Sequence, residues 1–254
     1  MSEFSRRTLL LLVFILVSHS SLSFADNPVL KISSDPWAPW VLGTEGMEAT
    51  GGIAVDLTRD LFKRLNTPIE IVIYPFERCM NQMKTGERDV LLMVKKTPER
   101  EQFMLFSDVA AEDPQLLYFA TDKRREFAWS EWQELSGFKV GVVRGFNYGD
   151  FDKVADMVGI QKEAVSEDNQ NIKKLLAGRV DFILLNRATA KYYFATHPDQ
   201  VGKFKAASKP ISNAQFYFAV SKKGKAVGYI DRINRVLKEM REDKSWWKYM
   251  GELN

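Results

Sequence analysis

Cysteine and histidine are nearly missing from this chain of 254 residues, which holds one Cys (Cys79) and two His (His19 and His197). A single thiol excludes an internal disulfide. With one thiol and His197 as the only histidine beyond the N-terminal region, no His/Cys metal site can be assembled. Long apolar runs are missing too. The longest, Leu9–Val17, has less than half of the ~20 residues that a membrane-spanning helix needs. Charge of one sign is also scarce: 36 Lys+Arg face 33 Asp+Glu, for a net +3. The signs are interspersed, without the basic stripe of a nucleic-acid binder. No G-x-S-x-G elbow, Walker loop or G-x-G-x-x-G is present. Neither a cofactor nor a metal is expected. Cys79 reads as a small buried hydrophobe, and His197 as a solvated surface residue.

The N-terminal 25 residues are built differently from the rest. Arg6 and Arg7 precede Leu9–Val17, and Ser23-Phe24-Ala25 ends in small residues. This is the layout of a secretory signal peptide cut after Ala25. The remainder carries 34 basic against 32 acidic residues. No cysteine stands near the cleavage point, so lipid attachment there is not expected, and the expected location is the periplasm. Hydrophobic content of 45% and aromatic content of 12% are globular values. About 229 residues suit one large domain or two smaller ones.

The pattern predicts β-α-β-α-β at the start: a strand at Val29–Ser33, a helix on Ile53, Leu57, Leu61 and Leu65, a strand at Pro68–Tyr74, a helix over Phe76–Met83 and a buried strand at Asp89–Val94. A second α/β series follows. It has a strand at Lys139–Val143, a helical face on Phe151, Val154, Ala155 and Val158, a helix near Asn169–Ala177, a strand at Asp181–Leu185 and a helix over Arg187–Ala195. Extended segments at Leu116–Thr121 and Phe216–Val220 bracket it. A last amphipathic helix carries Ile230, Ile233, Val236, Leu237 and Met240. The expected fold is α/β, with two Rossmann-like lobes joined by two crossing strands and a cleft between them. Residues 26–118 with 217–254 form lobe 1, and 119–216 form lobe 2.

In open α/β sheets, ligands lie beyond the carboxyl ends of the strands. Those positions hold Trp37 and Trp40, then Phe76 and Arg78, then Met93, Lys95 and Arg100, then Arg144, Phe146 and Asn147, and finally Asn186 and Arg187. Flat aromatic faces beside guanidinium and amide donors suit a small polar, anionic or amino-acid-like solute. Core packing is the alternative for each tryptophan, and a surface ion pair for each arginine. The four cations Arg78, Lys95, Arg100 and Arg144 are expected at one cleft. Gly141, Gly145 and Gly149, between a strand and a helix, could form an anion site at a helix N-terminus or an ordinary turn. The pairs Glu112-Asp113 and Glu167-Asp168 read as solvated or helix-starting acids.

The stretches Asp35-Pro36-Trp37-Ala38-Pro39-Trp40, Gly52-Ile53-Ala54-Val55-Asp56-Leu57, Lys96-Thr97-Pro98-Glu99-Arg100-Glu101 with Phe106-Ser107-Asp108, and Ala177-Gly178-Arg179-Val180-Asp181, in this order and spacing, resemble periplasmic solute-binding proteins of the polar-amino-acid class. The resemblance covers most of the chain after residue 25. It implies two lobes closing over a ligand by hinge motion, with delivery to an ABC permease or a membrane sensor, and a monomer. It further implies that Arg100 grips a carboxylate, that Trp37 and Phe76 sandwich the side chain, and that Asn147, at a helix start, lends donors. Two departures stand out. Met93 and Lys95 occupy places that are usually small hydroxyl residues, and Asn186 stands where an acid usually receives the α-amino group. The enzyme alternative is a periplasmic lyase resembling cyclohexadienyl dehydratases, for which Glu77 is the nearest acid.

Overall fold

The computed structural model describes residues 28–250; the expected signal peptide lies outside the described residues. The first unit forms as the pattern predicts. Strand β1 (Leu30–Ser34) is followed by α1 (Ile53–Arg64), β2 (Ile69–Ile73), α2 (Phe76–Thr85) and β3 (Val90–Val94). β1 pairs in parallel with β2 on one side and β3 on the other. Helix α2 ends at Gly86, whose φ of 80° is the left-handed conformation glycine adopts freely. A single helical turn α3 (Pro98–Glu101) and β4 (Met104–Phe106) lead into β5 (Ala111–Ala120).

The second unit holds β6 (Lys139–Val143), α4 (Asp150–Val154), β7 (Gln161–Val165), α5 (Asp168–Leu176), β8 (Phe182–Asn186) and α6 (Arg187–Thr196). The long strand β9 (Phe204–Ser221) then runs back, followed by α7 (Ile230–Glu242) and α8 (Ser245–Met250). Strand order is β2-β1-β3-β9-β5-β8-β6-β7, with β4 also on β9. This is a two-lobed α/β fold joined by two antiparallel crossing strands, β5 and β9. Their ladder slips register between Gln115 and Leu116 and again before Tyr118. Pro210 stands at the first slip, where a residue without an N–H cannot continue the ladder.

The apolar cores divide accordingly. One cluster draws on Leu30–Ala111 and on Ala214–Met250, including Ile233, Val236, Leu237 and Met240 of α7, with Ala188 of α6 as its one member from the second unit. Two others lie wholly within residues 116–207. The sequence reading differs from the structure at several elements. β5 and β9 are far longer than the segments expected, α3, β4, β7 and α8 were not expected at all, and α4 stops at Val154 instead of reaching Val158.

Candidate functional site

The loop after β1 is fixed by the helix that follows it. The amides of Ile53 and Ala54, which an isolated helix start would leave unpaired, donate to the carbonyls of Pro39 and Trp40 at 3.0 and 2.9 Å. Gly52, at φ 112°, permits that approach, because a Cβ there would sit 2.6 Å from the Trp40 oxygen. Trp37 is thereby held at 6% exposure against Trp40 and Phe216, with ring centroids 5.3 and 4.9 Å away. Its indole N–H reaches across to the Thr189 hydroxyl of α6 at 3.1 Å.

The end of β3 is irregular. Met93 adopts φ 43°, rare for a residue with a Cβ, and the register against β9 shifts between Leu91 and Val94. The Thr97 hydroxyl caps α3 by accepting the Arg100 amide at 3.3 Å. That turn brings the Arg100 guanidinium back beneath β3. Arg100 is 6% exposed. Its Nη1 donates to the Lys95 carbonyl at 2.7 Å and its Nη2 to the Gly145 carbonyl at 3.0 Å. The Lys95 ammonium donates to Gln115 Oε1 at 2.9 Å and to the Asn147 carbonyl at 2.7 Å. Phe76 meets Phe146 edge-on with centroids 5.2 Å apart.

These groups enclose a cavity of about 30 Å³ lined by Asp35, Trp37, Phe76, Met93, Val94, Lys95, Arg100, Gln115, Phe146, Asn147, Asn186 and Phe216. Eight of the twelve residues expected at strand ends are therefore brought together. The other four are not: Arg78 is exposed and lies over the Tyr74 ring, Arg144 and Arg187 are exposed, and Trp40 is fully buried in the core. Two of the four cations expected at one cleft are present there. Three further expectations need correction. Asn147 does not start a helix, since α4 begins at Asp150. Its carbonyl and its Oδ1 are acceptors, for Lys95 and the Gly149 amide. The glycine turn offers no free anion nest, because the amides of Tyr148 and Gly149 are bonded to Asp152 and Asn147. The acid in the cavity is Asp35, while Glu77 is exposed.

Burial shapes the charges. Desolvation lowers Lys95 to about 8 and Arg100 to about 10, and nearby Asp152 opposes both shifts. Desolvation raises Asp35 to about 6 against the pull of its own amide and of Arg100. Neither Lys95 nor Arg100 has an ion pair among the described residues; every acceptor they bond is neutral. On the far wall the Asn186 amide donates to the Asp113 carbonyl at 3.1 Å. The Asp113 carboxylate accepts the Ala188 amide at the start of α6, and burial raises it to about 6. Cys79 is fully buried, with its thiol pushed up to about 12 by desolvation. Sequence reasoning missed Asp35 and Gln115. Ending β1 at Ser33 left Asp35 inside a turn, although it directly follows the last strand residue, Ser34.

A second cavity of about 220 Å³ shares Trp37 with the first and is lined by residues 36–38 and 41–43, Glu167, Asp168, Thr189, Tyr192, Tyr193 and His197. His197 is exposed and stacks on Tyr193 at 4.2 Å. Among the described residues no group of acids, histidines and cysteine could hold a metal ion, and no helix is long and apolar enough to cross a membrane.

Comparison with known proteins agrees with this architecture. The pattern of the bacterial extracellular solute-binding proteins, family 3, matches residues 30–251. The histidine-binding periplasmic protein of Salmonella typhimurium is 26% identical over 246 residues, covering 91% of this chain and 90% of its own. An arginine third-transport-system periplasmic binding protein from Legionella pneumophila superposes with a TM-score of 0.75 at 22% identity, over 89% of this chain and 99% of that one. An ancestral arginine-binding protein bound to arginine gives a TM-score of 0.75 at 23% identity, over 88% and 97%. The chain belongs to the bacterial extracellular solute-binding proteins, family 3.

Proposed function

We propose that this family 3 solute-binding protein captures a small carboxylate-bearing solute in the cavity between its lobes and presents it to an ABC permease or a membrane sensor. The proposed chain is a monomer, exported to the periplasm by its N-terminal leader and not lipidated. Its lobes divide at 26–118 with 217–254 and at 119–216, and it needs no cofactor. One observation carries the reading: two cations, Lys95 and Arg100, stand in the cavity wall with neutral acceptors only. Asp35 is the one carboxylate in the lining against these two desolvated cations, and a solute carboxylate is the group that compensates the remaining charge. Trp37, Phe76, Phe146 and Met93 supply the apolar walls, and Asn147, Asn186 and Gln115 the polar ones. Arg78 and Arg144 lie outside this lining. A thermal-shift screen of amino acids, organic acids and polyamines tests the reading. Carboxylates should raise Tm; a response to polyamines alone would defeat it.

A second reading, a lyase, is favoured by Asp35, an acid poised near 6 in the cavity that holds Arg100. Incubation with prephenate or arogenate decides it, since product formation would replace binding alone as the function.

A further inference from the structure

The wall of the cavity contains its own ammonium group. Lys95 leaves the end of β3, crosses the cleft and is seated on Gln115 Oε1 of β5 and on the Asn147 carbonyl of the other lobe. Arg100 bonds the backbone carbonyl of the same residue, so guanidinium and ammonium face one small volume. Two of the acceptors an incoming ammonium would seek, on Gln115 and Asn147, are already engaged. Gln115 Oε1 also receives the Ser212 hydroxyl, and Asn147 Oδ1 receives the Gly149 amide. Asp35 is the one carboxylate in the lining. Asp152 acts on Lys95 through its charge, but its carboxylate is bonded to the Tyr148 amide outside the lining.

We propose that Lys95 is a specificity-determining residue: its ammonium disfavours solutes that carry an amino group beside the carboxylate, restricting the class to 2-hydroxy, 2-oxo or unsubstituted carboxylic acids. The charge count gives the reason. Lys95, Arg100 and Asp35 leave the lining one positive charge in excess. At pH 7 this count holds, with Asp35 near 6 and Lys95 near 8. A monocarboxylate brings the cavity to neutrality. A zwitterion leaves the excess in place and adds a third cation to a desolvated space. The inference rests on the carboxylate reading above and deepens it.

The test uses matched monocarboxylate pairs that differ only at the α position, among them phenylalanine against 3-phenyllactate and alanine against lactate. Calorimetry and thermal shift on the protein after removal of its leader, at pH 7, should show the hydroxy acid of the responding pair binding at least ~10-fold tighter. Lys95→Met should narrow that ratio several-fold, whereas Lys95→Arg should keep it. The ratio in the unmodified protein needs no variant to fold. Equal affinity within a responding pair, or an unchanged ratio in a folded Lys95→Met, overturns the role of Lys95 and leaves the carboxylate reading standing. If no carboxylate of any pair binds, that reading falls and this inference with it.

Discussion

Arg100 and Trp37 show two different ways in which a side chain belongs to a cavity. Arg100 contributes charge. Arg100→Ala should remove about 2–3 kcal/mol of carboxylate binding, ~30- to 150-fold in Kd, read by calorimetry. Trp37 contributes mass to the core as well as a wall to the cavity, being packed on Trp40 and Phe216 within the larger apolar cluster. Trp37→Ala should therefore cost about 3–5 kcal/mol of stability in urea unfolding. Trp37→Phe, which keeps one aromatic ring but deletes the bond to Thr189 and part of the packing, should cost less, about 1–3 kcal/mol. Asp113 predicts a pH effect. Its folded value near 6 lies above its ordinary 3.8, so between these values the native chain binds more protons than the unfolded one. The contribution of Asp113 to stability therefore rises as pH falls from 6 toward 4. The Tm difference between the parent protein and Asp113→Asn, followed from pH 7 to 5, should move in favour of the parent. Much of this site was legible in the sequence, because strand ends can be read from alternation and Arg100 follows a helix-starting Thr-Pro. What could not be read was which side of a turn each cation takes. Arg78 lies on α2 and turns onto Tyr74, and at the β6 turn it is the Gly145 carbonyl, not the Arg144 side chain, that meets the cleft.

Among the elements, those with an apolar period were predictable and those without one were not. β7 (Gln161–Val165) lies at the sheet edge with no buried residue, so nothing in Gln-Lys-Glu-Ala-Val marks it as a strand. β5 and β9 contain Pro114 and Pro210 and are largely polar where they cross, which hides strands of 10 and 18 residues. The helix pattern around Val158 failed for another reason: the chain leaves α4 at Val154 to reach the β7 edge. One close contact between elements is testable. Gly141 of β6 lies against Asn171 of α5, and a Cβ there would fall 2.5 Å from Asn171 Oδ1. Gly141→Ala should destabilise the fold by about 1–3 kcal/mol in urea titration, with the second lobe losing amide protection first.

For the molecule as a whole, about 30 Å³ accommodates roughly a water or two, whereas small-molecule sites span roughly 300–1,000 Å³. On the proposed reading a solute enters when the lobes part, which breaks the Lys95–Asn147, Arg100–Gly145 and Trp37–Thr189 bonds together. X-ray scattering should show a radius of gyration that falls when a binding carboxylate is added. A variant lacking the bridging donors, Lys95→Met with Trp37→Phe, should be more expanded without it. The two crossings of the sheet also have a consequence for how the chain is made. The buried residues of the second lobe's clusters lie between 116 and 207, with Ile211 of β9 packed against them. The first lobe lacks β9 and α7 until residues beyond 230 exist. During synthesis, which runs from the N-terminus, the middle of the gene encodes the part that can fold first. The lobe that begins the polypeptide stays incomplete until its final helices emerge, so C-terminal truncation should spare the second lobe and unfold the first.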